Sequence, residues 1–169
     1  MELNFIYAAV AALIPLLVGF IWYNPKIGFG NVWMKAADIT EDKMKGANMA
    51  LIFGLTYVFS LFIAVALMSI TIHQMGTFST LMDEPGFRKM DPNADAVKYF
   101  NDFMANYGDR FRTFKHGALH GVIAGFMLAL PILGINAMFE RKGFKYIAIN
   151  VGFWVVSLAL MGGVICQWA

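Results

Sequence analysis

The chain has 169 residues, of which 59 % are hydrophobic and only 14 % charged, with a net charge of +2. A soluble domain is about 45–50 % apolar and about 25 % charged, and one of this size has too high a surface-to-volume ratio to bury such a surplus. The charges are also clumped, leaving charge-free runs at 3–25, 46–82, 116–139 and 146–169. Composition thus excludes a soluble globular domain, a disordered chain, a disulfide scaffold and a coiled coil, and points to an integral membrane protein. A near-neutral chain without a concentrated basic face offers nothing to neutralise phosphates, so no nucleic-acid partner is expected. The single cysteine, Cys166, has no intramolecular disulfide partner and reads as a small buried hydrophobe.

Hydrocarbon about 30 Å thick takes roughly 20 helical residues to cross. The first span is expected over 3–23, with Pro15 in its interior and Trp22-Tyr23 suited to the headgroup layer. Its N-terminus lacks the basic region of a signal peptide, so the segment is expected to be retained. Residues 26–39 predict a short interfacial helix with Phe29, Val32, Trp33 and Ala36 on one face and Lys26 and Lys35 reaching headgroups. Thr40 is the expected N-cap of the second span, with Glu41 and Asp42 at the positive end of the dipole and Ile39 stapled onto Met44. From there an unbroken helix is expected to about Ile72, its membrane part over 46–72, with Gly46, Ala50 and Gly54 forming a small-residue packing ridge.

Residues 74–115 form the sizeable extramembrane insert. Asp91-Pro92 reads as a helix start, and Val97, Phe100, Phe103, Met104, Tyr107, Phe111 and Phe114 recur at helical spacing opposite Lys98, Asp102, Asn106, Asp109 and Arg112. This amphipathic helix is expected to lie on the bilayer or pack on the bundle, ahead of binding a soluble partner. The third span is expected over 116–139, with Gly117, Gly121, Gly125 and Ala129 along one ridge, and the fourth over 146–168 after a tight turn. Lys and Arg number seven in loops 24–45 and 140–145 against six in 74–115, which places the short loops in the cytoplasm and the termini in the periplasm.

Trp22-Tyr23-Asn24-Pro25, followed by Phe29-Gly30 and Trp33-Met34, is similar to the first-loop signature of bacterial domain-of-unknown-function family 1761. Asn150-x-Gly152, leading to Gly162-Gly163 and Trp168, resembles that family's C-terminal helix, so the resemblance covers nearly the whole chain, with a longer 74–115 insert than a typical member. The resemblance implies a small four-span bacterial inner-membrane protein and carries no established activity.

Polar residues within spans mark candidate sites. Asn136, Glu140 and Asn150 are expected at similar depth near the cytoplasmic edge, as a proton or cation relay, a headgroup site or, in the favoured reading, a hydrogen bond between Asn136 and Asn150 with Glu140 snorkelling. His73, His116 and His120 are expected to share one layer at the opposite edge. They are candidate metal ligands, with Asp109 or residues 74–90 supplying a carboxylate, or His73 and His120 are axial ligands of a haem. Interfacial histidines that hold no metal are favoured, because no committed carboxylate or thiolate stands beside them.

The resulting expectation is an all-α integral membrane four-helix bundle, one transmembrane domain with short interfacial helices and an amphipathic insert between spans two and three. No phosphate loop or nucleophile elbow is present, so the enzyme question leans to no, and no cofactor is predicted. First in rank stands a non-catalytic scaffold or accessory subunit that binds lipid, a larger membrane complex or copies of itself. A small oligomeric transporter or channel is the alternative, and a metal-dependent membrane enzyme using His73, His116 and His120 comes third.

Overall fold

The computed structural model describes residues 3–169, the side chains of Glu41 and Met44 excepted, so the expected Ile39–Met44 staple and the Glu41 dipole contact lie outside the described residues. Four helical segments are long and apolar enough to cross a membrane: Phe5–Trp22, Met49–Thr71, Phe114–Phe139 and Phe144–Trp168. They make the chain an all-α, multi-pass membrane bundle.

The first segment is two helices, α1 (Phe5–Ala11) and α2 (Ile14–Trp22). Pro15 lies in the first turn of α2, where its missing N–H is an orphan anyway. The break at Ala12–Leu13 is held by bonds from Leu13 N to the Val10 carbonyl and from Leu16 N to the Leu13 carbonyl. α3 (Gly30–Ala37) follows, ending at Asp38 in the left-handed region. α4 (Glu41–Lys45) is a separate short helix, and the second span, α5 (Met49–Thr71), starts anew.

The expected unbroken helix from Thr40 is therefore corrected. Thr40 caps only α4, its hydroxyl accepting from Lys43 N at 3.4 Å, while Asn48 caps α5 by accepting from Leu51 N at 3.1 Å. Gly46 is costly in a helix interior and Asn is a stronger cap than Thr, so the chain restarts two residues beyond the glycine. The 23 residues of α5 are about 35 Å long, enough to cross unaided.

The insert holds α6 (Gln74–Thr80), a 3₁₀ turn (Phe87–Lys89) and α7 (Asp95–Tyr107). α7 starts later than Asp91-Pro92 suggested, because the Asp91 carboxylate accepts from Asn93 N in a local turn instead. The first half of its apolar face packs within the insert, while Tyr107 and Phe111 further along stay exposed. Phe87, Val97 and Phe100 are each buried against one another and against Phe78, Leu81 and Met104, so the insert has a small core of its own.

The third span runs as α8 (Phe114–Ala124), a π turn (Gly125–Ala129) and α9 (Leu130–Phe139); the fourth is α10 (Phe144–Trp168). Pro131, in the first turn of α9, explains the π turn: it lacks an N–H and its ring would collide with the carbonyl four residues back, which a wider turn relieves. α10 is the hub. Its most apolar stretch is 56 % buried, against 22 %, 22 % and 17 % for the other three spans.

The closest packing joins α8 to α10. A Cβ on Gly117 would collide with the Gly162 carbonyl, and one on Gly121 with that of Leu158; Gly162 meets the Gly117 carbonyl in return. Farther along, a Cβ on Gly125 would come within 2.6 Å of Val155. Without a hydrophobic drive between helices in lipid, such backbone contact is what holds them together. Ala129 is partly buried against the main core. The other ridge has no such partner within the chain: Gly46 falls in the break before α5, Ala50 is exposed, and nothing lies within 4 Å of a Cβ on Gly46 or Gly54.

Candidate functional site

Two polar clusters occupy opposite ends of the bundle. At the α3 end, the residues of the first-loop signature close on those of the last helix. Trp22 Nε1 donates to the Ile149 carbonyl at 3.0 Å. Tyr23 donates its phenol to Asn150 Oδ1 at 2.9 Å, and Trp33 Nε1 donates to the same oxygen at 3.3 Å. Asn150 Nδ2 donates to the Tyr146 carbonyl one turn earlier at 2.8 Å. Both lone pairs of the amide oxygen and one of its two N–H bonds are thus used.

Gly152 has no side chain because the Trp22 indole lies where one would be, 2.9 Å from a Cβ. Within the loop, Asn24 Oδ1 accepts from Lys26 N and the Asn24 carbonyl from Gly28 N, while Asn31 Nδ2 donates to the Pro25 carbonyl. Tyr23 stands edge-on to Trp33, with ring centroids 5.1 Å apart, and burial pushes its phenol above the ordinary tyrosine range. It remains a neutral donor. Lys142 Nζ reaches the Ala37 carbonyl at 2.7 Å and ties the turn before α10 to the end of α3.

The expected hydrogen bond between Asn136 and Asn150 is corrected here, while Glu140 is exposed in keeping with the snorkelling reading. Asn150 turns to Tyr23 and Trp33, whereas Asn136 and Glu140 are exposed and, among the described residues, have no side-chain hydrogen bond. The π turn is the reason. A five-residue turn delays the helix by about one residue relative to a 3.6 period, so Ala137 is buried where Asn136 was expected. Trp33 also departs from the flat interfacial helix, since it packs on α10 while Phe29 and Val32 stay exposed.

At the other end, His73 sits between α5 and α6, and His116 and His120 lie one turn apart on α8. Their ring centroids form a near-equilateral triangle with edges of 4.9, 5.0 and 4.6 Å. One nitrogen from each ring can be chosen so that all three lie within 4.8 Å of one another, and His73 Nε2 is 2.9 Å from His116 Nε2. Asp109 is not in this group, nor is any carboxylate from 74–90. A haem between His73 and His120 does not fit, because a porphyrin would have to separate rings only 5.0 Å apart.

Three features sequence reading missed surround the triangle. Phe111 adopts left-handed backbone at φ 65°, costly for an aromatic residue, and stacks on His116 at 5.0 Å and 25°. Gln74 is buried; its Nε2 donates to the carbonyls of Tyr107 and Arg110, and its Oε1 has no partner among the described residues. A shallow groove of about 320 Å³ runs from His73 and Gln74 past Tyr107 to Phe111. Phe111 carries a sequence signal only in hindsight, as the residue between Arg110 and Arg112 at the turn into α8. The same end holds the C-terminus: Arg112 reaches the Ala169 carbonyl at 2.7 Å, and Gln167 accepts from Phe114 N. Cys166 is buried nearby, its thiol against the Thr71 and Phe111 carbonyls, and takes no part in the triangle.

Three apolar spans packed on a fourth, α10, with its Asn150 hub and glycine seam, define a small multi-pass helical membrane protein. The family model for DUF1761, proteins of unknown function, matches residues 6–166, and the chain belongs to that family. Of the residues that carried the resemblance, Trp22, Tyr23, Trp33, Asn150 and Gly152 meet at the α3 end, while Gly162, Gly163 and Trp168 pack on Gly117 and Phe114 toward the other. Neither the curated proteins nor the solved structures compared with the chain contain a match.

Proposed function

We propose that the protein is a non-catalytic accessory or scaffold subunit of the bacterial cytoplasmic membrane, joined through its second span to another membrane chain. The observation that carries this reading is the outward small-residue face of α5. Ala50 and Gly54 are one turn apart; Ala50 is exposed, no described atom lies within 4 Å of a Cβ on Gly54, and Met49, Leu51, Phe53 and Leu55 around them are exposed. Lipid is served equally well by large residues, whereas small ones allow a partner helix to approach closely. A larger complex or a further copy of the chain satisfies that face, and lipid covers the rest. No group here suggests nucleic acid. The 24–45 and 140–145 loops are cytoplasmic in this reading, and the termini and insert periplasmic.

Gentle solubilisation of the native particle tests the proposal. We expect a mass well above that of one chain plus detergent, reduced to the single chain by Gly54→Leu with helix content unchanged. A native particle that is already a lone chain overturns the reading. The topology is checked by cysteine labelling in intact cells, where a cysteine at Asn93 should react with an impermeant reagent and one at Lys142 should not.

A further inference from the structure

We propose that His73, His116 and His120 bind one divalent transition-metal ion of the zinc class, with a fourth position open to water. This goes beyond the accessory role and does not rest on it. Neutral imidazole nitrogens suit zinc and its neighbours, and three of them with one open position form a recurrent coordination set.

The spacing fits. Tetrahedral zinc with Zn–N bonds of about 2.0–2.1 Å holds its ligand nitrogens about 3.4 Å apart. Here the shortest pair is 2.9 Å apart and all three nitrogens lie within 4.8 Å, so small side-chain rotations bring the set to that value. Only one edge of the triangle is a hydrogen bond. Among the described residues no carboxylate joins the cluster to orient the rings, and the one hydrogen bond the rings make is to each other.

The backbone holds two of the ligands rigidly. Each α8 histidine directly precedes a seam glycine, His116 before Gly117 and His120 before Gly121. The contact that locks α8 onto α10 therefore fixes the depth and direction of both rings. The third ligand is held from the insert side, since Gln74, next to His73, is pinned to the carbonyls of Tyr107 and Arg110. Phe111, strained at φ 65°, lies flat against His116 and shields that face, and the groove beside His73 leaves a path for water and the ion. Strain stored beside a cluster of ligating groups is where function is to be sought.

A charge objection stands on the sequence alone, because three imidazoles leave the ion's charge unneutralised. The exposed side of His73 answers it, since a water or hydroxide in the fourth position supplies the missing ligand from solvent.

The test uses full-length protein in detergent, purified without a histidine tag and stripped with chelator. Zinc is titrated against a competing chromophoric chelator, and cobalt(II) substitutes as a spectroscopic probe. We expect one zinc per chain and intense visible cobalt bands of tetrahedral type. Affinity should fall at least about tenfold in each of His73→Ala, His116→Ala and His120→Ala, since even losing an outer-shell partner costs about 10–100-fold. Helix content should stay unchanged in all three, and Asn136→Ala should bind as wild type. Absence of stoichiometric zinc, or zinc binding that survives His120→Ala unchanged, overturns the proposal.

Discussion

The two ends of the bundle treat their polar groups in opposite ways. At the α3 end, Asn150 is saturated by Tyr23, Trp33 and its own helix, and Trp22 is spent on the Ile149 carbonyl. At the insert end, three imidazoles face one another with one hydrogen bond among them, beside a glutamine oxygen without a partner among the described residues. In a low-dielectric setting an unsatisfied polar group is costly, so the two patterns mean different things. The first builds the fold. The second leaves capacity for something from outside.

The sharpest way to break this contrast is to attack what both ends share, the α8–α10 seam. Gly121→Leu drives a side chain into the Leu158 backbone, and we expect a loss of about 3 kcal/mol, the upper end for overpacking, or failure to form the bundle. Leu128→Ala, at an exposed position, should change stability by no more than about 0.5 kcal/mol. Thermal melts in detergent compare them, and equal melting points would remove the seam from the account.

A smaller effect is expected at the saturated end alone. Asn150→Leu orphans the Tyr23 hydroxyl and the Trp33 N–H. Interhelical hydrogen bonds average only about 0.6 kcal/mol, and stranding a buried donor costs about 1–3 kcal/mol; because these two donors are only part-buried, the low end applies to each, about 2 kcal/mol for the pair. Asn136→Leu, in contrast, should be nearly silent in the same denaturation series. If the two asparagines cost the same, the hub has been misread.

The smallest effect belongs to the histidines. Without metal, His116→Ala should shift stability by about 0.5 kcal/mol or less, as for other partly exposed positions. With zinc at about 100 times its dissociation constant the wild type should gain about 2.7 kcal/mol, and the variant should gain little of this. Acidification should release the ion, because ligating imidazoles must be unprotonated. A wild-type melting point indifferent to zinc would make the two ends alike.

Much of this was legible in the sequence, because charge-free runs of membrane length follow directly from the cost of charge in hydrocarbon. The histidine triangle was foreshadowed by the helical spacing of His116 and His120 and by the place of His73 at the neighbouring span end. The Asn150 hub was not, although Trp22, Tyr23 and Asn150 were all singled out. Local patterns say nothing about a contact between residues 23 and 150. The restart at Asn48 was missed because Thr40, Glu41 and Asp42 offered an earlier and plausible start. The insert's own core was missed because one amphipathic face does not reveal that Phe78 and Phe87 return to cover it.

The π turn ahead of Pro131 carries a consequence beyond its local geometry. It works as a one-residue insertion that needs no loop, setting the second half of the third span back by a step while the first half stays in register with α10. The histidines, Gly117 and Gly121 lie before that step, Gly125 opens it, and Asn136 and Ala137 follow it. Drift in the packing of one half can thus be taken up at residues 125–129 and need not be passed to the other. The span behaves as two short rods on a common axis, each phased to its own neighbours.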